Sequence, residues 1–208
     1  MSAIPLKNFE DEAEALVSVG REVFAHGWVP ATSGNFSARL GPDEIAITVS
    51  GRHKGRLTPA DIMRVDGDGN PLDRKRPSAE TPLHVSLYRR FPEVHAVLHT
   101  HSVNATVLSR LVGGELLLEE LEVLKAFRGI DTHQASVVVP VFPNDQDIAR
   151  LALKVDAYLD THGAIPGYLI AGHGLYTWGT SLNDAMRHLE AFEFLFQCEL
   201  EMRRVRRS

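Results

Sequence analysis

The segment Val94-His-Ala-Val-Leu-His-Thr-His101 places two histidines one residue apart at the end of an apolar run. Such a run suits a β-strand, where alternate residues face the same way, so the imidazoles of His99 and His101 project together from one face. Far downstream, His173 lies between two glycines in Ala171-Gly-His-Gly-Leu-Tyr-Thr-Trp-Gly179, a place where backbone must come close to something else. Three imidazoles from two segments make a three-nitrogen metal site with an open coordination position, and an open position polarises substrate oxygens. The competing reading is three unrelated histidines, since His-x-His occurs by chance and buried histidines often only satisfy their own hydrogen bonds.

Length and composition suit one compact domain spanning residues 1–208. The 208 residues are 44% hydrophobic, enough for one substantial core, and no composition shift marks a second. A formal charge of −5, from 22 basic and 27 acidic residues, argues against a nucleic-acid partner but leaves room for a local phosphate pocket. The lone Cys198 cannot form an intramolecular disulfide and reads as a packing residue of the last helix. The first residues show no apolar segment of signal-peptide length, and no later run approaches the ~20 residues that span a bilayer. The expectation is a cytoplasmic protein with no membrane partner.

Apolar spacing predicts an opening helix from Phe9 to His26, broken at Gly27. Residues 31–39 look too polar and glycine-interrupted for core and read as a loop, whereas residues 44–49 alternate as a strand. Thr58-Pro59-Ala-Asp61 looks like the start of a short helix, Thr81-Pro82 opens another through Arg90, and Ser102 caps a third to about Leu111. Residues 115–127 read as helix, 135–141 as strand and 145–161 as helix. Two short strands, 168–171 and 175–178, flank His173. Ser181 starts a final helix with Ala185, Leu189, Phe192, Leu195, Phe196 and Leu200 along one stripe. Its basic end, Arg203, Arg204, Arg206 and Arg207, complements the helix dipole. Several strand neighbours lack long helical crossovers, so the order predicts a three-layer α/β fold with a mostly antiparallel central sheet. Asp66-Gly-Asp-Gly-Asn70 begins like a calcium loop, but Pro71 and Pro77 stand where glycine and glutamate are required, leaving a polar turn.

Thr32-Ser-Gly-Asn-Phe-Ser37, Thr48-Val-Ser-Gly51, Ser78-Ala-Glu80, His99-Thr-His101 and Ala171–Gly179 occur in the order seen in the class II sugar-phosphate aldolases and epimerases, and the chain resembles that superfamily over nearly its whole length. Ser50–Asp61, Glu122-Val-Leu-Lys-Ala126 and the phenylalanine-rich last helix look most like its dehydratase branch, which removes water from 5-methylthioribulose-1-phosphate in methionine salvage. The resemblance implies a class II aldolase-like α/β fold, a homotetramer with active sites at subunit interfaces, and one Zn2+ per subunit on His99, His101 and His173. An aldolase or 4-epimerase activity, and a non-catalytic metal-binding scaffold, are the alternatives.

In the dehydration, a proton leaves C3 of the ketose phosphate, a divalent cation stabilises the resulting enediolate, and the C4 hydroxyl departs as water. Such chemistry needs a general base and a general acid. Glu122 matches the segment where the dehydratase branch places its acid/base residue. Glu80 matches the catalytic glutamate of the aldolase branch and takes the supporting role. Either could instead be an ordinary helix charge. For the phosphate, Ser33, Gly34, Asn35, Ser50, Gly51 and Ser78 offer hydroxyl, amide and backbone donors in three small loops. Lys54 and Arg56 stand nearby but read as solvated charges. The seven other histidines, His84 among them, read as structural or exposed.

Overall fold

The computed structural model describes residues 6–206. Arg207, the end of the anticipated basic tail, and residues 1–5 lie outside that range. In chain order the elements are α1 (Phe9–Ala25), β1 (Asn35–Arg39), β2 (Glu44–Thr48), β3 (Ile62–Asp66), α2 (Thr81–Arg90), β4 (Ala96–Thr100), α3 (Val103–Leu111), β5 (Gly114–Glu119), β6 (Ser136–Phe142), α4 (Ile148–His162), β7 (Gly167–Ile170), β8 (Gly174–Gly179) and α5 (Leu182–Val205). All eight strands form one sheet in the order β3-β2-β1-β4-β8-β7-β6-β5. Every pairing is antiparallel except β6 with β7, whose parallel alignment requires the α4 crossover.

Strand alternation sorts the side chains into two cores. Ala96, Leu98, Leu116, Leu118 and Leu175 pack under α1, α3 and α5, while Val97, Tyr168, Tyr176 and Trp178 pack under α2 and α4. Helix on sheet on helix is therefore the layering, as the residue pattern predicts. The helix starts also lie where their capping residues are: Asn8, Ser102 and Ser181 each accept a backbone N–H of the first turn. Asp66 accepts the backbone amides of Asp68 and Asn70, closing the polar turn that mimics a calcium loop. Among the described residues no helix is long and apolar enough to cross a membrane.

Three segments depart from the sequence expectation. Residues 35–39 are a fully buried central strand, not loop. Phe36 and Ala38 face the α1 core, and the polar Asn35, Ser37 and Arg39 on the other face are satisfied by α2 and the turn after it: Ser37 bonds His84 and Tyr88, and Arg39 donates to the carbonyls of Tyr88 and Val94. The helix expected after Thr58 is a single 3-10 turn, in which the Asp61 carboxylate accepts both the amide and the hydroxyl of Thr58, and the chain then runs out as β3. The helix expected over 115–127 is strand β5, with Leu116 and Leu118 inward and Leu117 outward, followed by a 3-10 segment, Glu122–Ala126. Three consecutive leucines mask the alternation. Cys198 is half-buried.

Candidate metal and phosphate site

His99 is on the α2 and α4 face of β4, its ring stacked on Tyr176 with centroids 4.1 Å apart. Nδ1 lies 2.9 Å from the Leu175 carbonyl, which can only accept, so that nitrogen carries the proton and Nε2 keeps its lone pair. His101 follows the strand directly and is anchored by its own amide, which donates to the Trp28 carbonyl. His173 occupies the three-residue turn between β7 and β8. Gly172 adopts φ +65° there, its amide donates to Ser109 Oγ, and Thr106 donates to the His173 carbonyl, so α3 holds the turn in place. Gly174 lies so close to the Thr100 carbonyl that a β-carbon would overlap it. This is the close approach that the glycines flanking His173 imply.

The three Nε2 atoms converge: His99 is 2.8 Å from His101 and 3.2 Å from His173. Glu80 joins them, with Oε1 3.0 Å from His173 Nε2 and Oε2 3.3 Å from His99 Nε2. All four donor atoms lie within 4.8 Å of one another. A tetrahedral ion with ligand bonds of ~2.0–2.1 Å requires donors about 3.3 Å apart, so the set fits a divalent metal. Its electrostatics agree. Burial lowers the pKa of His99 to about 4 against the pull of Glu80, and burial together with His99 and His173 lowers His101 to about 3, so both rings are neutral near pH 7 with lone pairs free. For Glu80, burial favours the protonated form, but the charges of His99 and His173 and hydrogen bonds from His173 and Asn35 outweigh it and hold the carboxyl well below the usual range.

Glu80 stands at the N-cap of α2 yet makes no capping bond there, its side chain being turned to the histidines. Asn35 Nδ2 donates to Glu80 Oε2 at 2.6 Å and lies 3.3 Å from Ser78 Oγ. Ser33, Gly34, Asn35, Ser50, Gly51 and Ser78 share with Glu80, His101 and His173 a cleft of about 400 Å³. Gly34, at φ +75°, must be glycine, because a β-carbon would meet the His99 carbonyl at 2.7 Å. Lys54, set aside in the sequence reading, is buried on the cleft wall, with Nζ donating to the Thr32 and Arg52 carbonyls at 3.1 and 2.7 Å. One N–H of its ammonium is left over. Burial, opposed by Glu80, lowers its pKa to about 8. Arg56 is exposed. The signal for Lys54 was its place four residues after Ser50, in a segment with too little periodicity to reveal which of its cations turns inward.

Glu122 is not brought to this cleft within one chain. It lies exposed on the 3-10 segment after β5, 2.5 Å from Lys125 Nζ and 3.8 Å from His133 Nδ1. The cleft instead receives Asn144, Asp145 and Gln146 from the loop ahead of α4, with Asn144 Oδ1 3.4 Å from His173 Nδ1. His84 is buried behind Asn35 with Nε2 in hydrogen-bond contact with Asn35 Oδ1.

An eight-stranded, helix-covered sheet carrying a three-histidine, one-glutamate cluster beside small glycine- and serine-bearing loops defines a class of protein: residues 14–200 match the class II aldolase and adducin N-terminal domain, and the chain belongs to that family. Within it, the chain is 62% identical over 199 residues to the methylthioribulose-1-phosphate dehydratase of Methylococcus capsulatus, covering 96% of this chain and 98% of that one. It is 59% identical over 192 residues to the enzyme of the same name from Pseudomonas savastanoi pv. phaseolicola, covering 91% and 94%. The fold superposes on the l-fuculose-1-phosphate aldolase of Thermus thermophilus with a TM-score of 0.77, at 29% identity and covering 96% and 99% of the two chains.

Proposed function

We propose that this protein dehydrates 5-methylthioribulose-1-phosphate to 5-methylthio-2,3-dioxopentyl phosphate, a step of methionine salvage. The observation that carries the reading is the shared cleft, lined by metal-type donors, a carboxylate, small glycine- and serine-bearing loops and a buried ammonium, in a chain most of whose length matches dehydratases of that name. The phosphate would lie against Ser33, Gly34, Ser50, Gly51 and Ser78, with Lys54 supplying charge.

The residues divide the work by their chemistry. His99, His101 and His173 would hold the metal, taken to be one zinc per subunit, which when bound would supply Lewis-acid polarisation of the substrate's C2 carbonyl and offset the negative charge that develops as C3 loses its proton. Glu80, kept as a carboxylate by its neighbours, is an acceptor beside the reacting carbons. The proton taken from C3 must be matched by one delivered to the departing C4 hydroxyl, and the enol left behind ketonises to the dione. Glu122, reaching the cleft from a neighbouring copy, is assigned this shuttling on the match of its segment, Glu122–Ala126, to the dehydratase branch. The oligomer is taken to be a homotetramer in the cytoplasm, with sites at subunit contacts.

Product analysis tests the reaction. Incubation with 5-methylthioribulose-1-phosphate should release water and a phosphorylated dione. An aldehyde with no loss of water would replace this reading with the aldolase one, which the likeness to the Thermus thermophilus fold keeps as the second candidate.

A further inference from the structure

Every fourth residue of the first two turns of α2 faces β1: Glu80 at its start, His84 one turn on, Tyr88 a turn later. Opposite them, Asn35 and Ser37 occupy alternate positions of one strand face. The two periods bring five polar side chains into one unbroken row beneath the cleft. Tyr88 Oη is 2.8 Å from Ser37 Oγ, Ser37 Oγ is 2.7 Å from His84 Nδ1, His84 Nε2 contacts Asn35 Oδ1, and Asn35 Nδ2 is 2.6 Å from Glu80 Oε2. Ser37 and His84 have no exposed surface and Tyr88 almost none, so water cannot substitute for a missing partner.

The hydrogens in this row follow from one end. The Glu80 carboxylate only accepts, so the Asn35 amide must present NH2 to it and its oxygen to His84. His84 must then donate from Nε2. A neutral ring has one proton, so Nδ1 accepts, and Ser37 must be its donor. Ser37 Oγ is left to accept from Tyr88, whose other acceptor, the His95 carbonyl, is farther away at 3.4 Å. Every donor therefore points toward Glu80, and each bond polarises the next. A histidine protonated only on Nδ1 breaks the row at Asn35, and a doubly protonated one breaks it at Ser37.

We infer that His84 is a positioning residue: by donating from Nε2 to Asn35 it fixes the orientation of that amide and thereby aims the Glu80 carboxylate at the metal-ligand cluster. It touches neither substrate nor ion. This rests on Glu80 working in the cleft as proposed above. Burial accounts for the neutrality of the ring, lowering its pKa to about 4 in spite of Glu80. Gln is the conservative replacement, since its amide nitrogen can stand at the Nε2 position and donate to Asn35, whereas Leu fills similar space and donates nothing.

Three measurements test the inference. Nitrogen-15 spectra of the histidine-labelled, metal-free protein should show His84 as the Nε2–H tautomer; an Nδ1–H ring, unable to donate to Asn35, would overturn it. A crystal structure of metal-free His84→Leu should show Glu80 swung away from His99 and His173, while a carboxylate still in place would refute the positioning role. In steady-state assays His84→Leu should lower kcat about 10–100-fold with KM nearly unchanged, as is usual when the group behind a ligand shell is removed, and His84→Gln should restore most of it. Should His84→Leu fail to fold, Tyr88→Phe, which removes the first donor of the row, carries the test: unchanged kcat together with failure of His84→Gln to outperform other folded variants would sink the proposal. If the substrate assignment is wrong, turnover readouts fail in the wild type too, but the tautomer and the Glu80 position still decide the matter.

Discussion

Gly174 lies against the carbonyl oxygen of Thr100, at the point where β8 passes the end of β4. The contact sets His173 opposite His99 and His101, so the ligand cluster depends on a residue with no side chain. Gly174→Ala must part these two strands. The expected outcome is a loss of at least about 1–3 kcal/mol of stability, as for other overpacked sites, together with loss of bound metal. Thermal unfolding and metal content of the purified variant check both. Full metal occupancy in Gly174→Ala would contradict the account of how the cluster is built.

Lys54 should govern phosphate affinity more than turnover. Lys54→Met is expected to raise KM for the sugar phosphate about tenfold, equivalent to roughly 1.4 kcal/mol, while leaving metal content unchanged. Because burial lowers the Lys54 pKa to about 8, the wild-type KM should also climb as pH rises through 8, when the ammonium loses its charge. A KM that is flat from pH 7 to 9 would remove Lys54 from the phosphate site.

Glu122 is exposed and bound to Lys125 in its own chain, so a catalytic role for it requires a second subunit. Glu122→Gln should abolish turnover and keep its metal. His173→Ala should lose both. Mixed oligomers of these two inactive chains should regain activity, at about one quarter of wild type per site if subunits assort at random into symmetric assemblies. No recovery in mixed oligomers of normal size would show that Glu122 does not serve a neighbour's cleft.

The metal-free protein should weaken in acid well above the usual carboxylate range. Burial lowers the pKa of His84 to about 4 from an ordinary 6.5, so between those values the unfolded chain binds a proton that the folded chain refuses. Stability is then complete above about pH 6.5 and falls as pH drops toward 4, by roughly 3 kcal/mol from His84 alone. His99 and His101 act in the same direction, and Glu80, held low, extends the loss below the unfolded carboxylate value. Urea titrations from pH 7 to 4 should show the slope, and His84→Gln should make it shallower while His99 and His101 keep the remainder.

What was legible from residues alone followed from periodicity and from chemistry that tolerates few substitutes. The helix from Phe9 announces itself by its apolar spacing, those after Ser102 and Ser181 by their caps, and His99, His101 and His173 by spacing and flanking glycines. The small loops around Ser33, Ser50 and Ser78 gather in one cleft through long-range pairing, which no local pattern reveals, and their order along the chain was the only guide. Strand β1 was hidden because its polar residues are satisfied by α2, a tertiary fact. Strand β5 was hidden because Leu117 faces outward between two inward leucines. The partners of His84 come from 47 and 49 residues away, so it looked like any buried histidine.

A strand through the middle of a sheet that carries asparagine, serine and arginine on one face is a place where a chemist seeking a sturdier molecule would begin. Ser37→Val would suit the surrounding apolar packing once His84 is also made greasy, and such exchanges of satisfied polar groups for hydrocarbon often strengthen a fold. Here the same exchange would leave Asn35 and Glu80 undirected. Heat resistance and turnover should therefore trade against each other at this strand, and a laboratory selection for the first alone would be expected to erase the second from within, without touching a residue that meets the substrate.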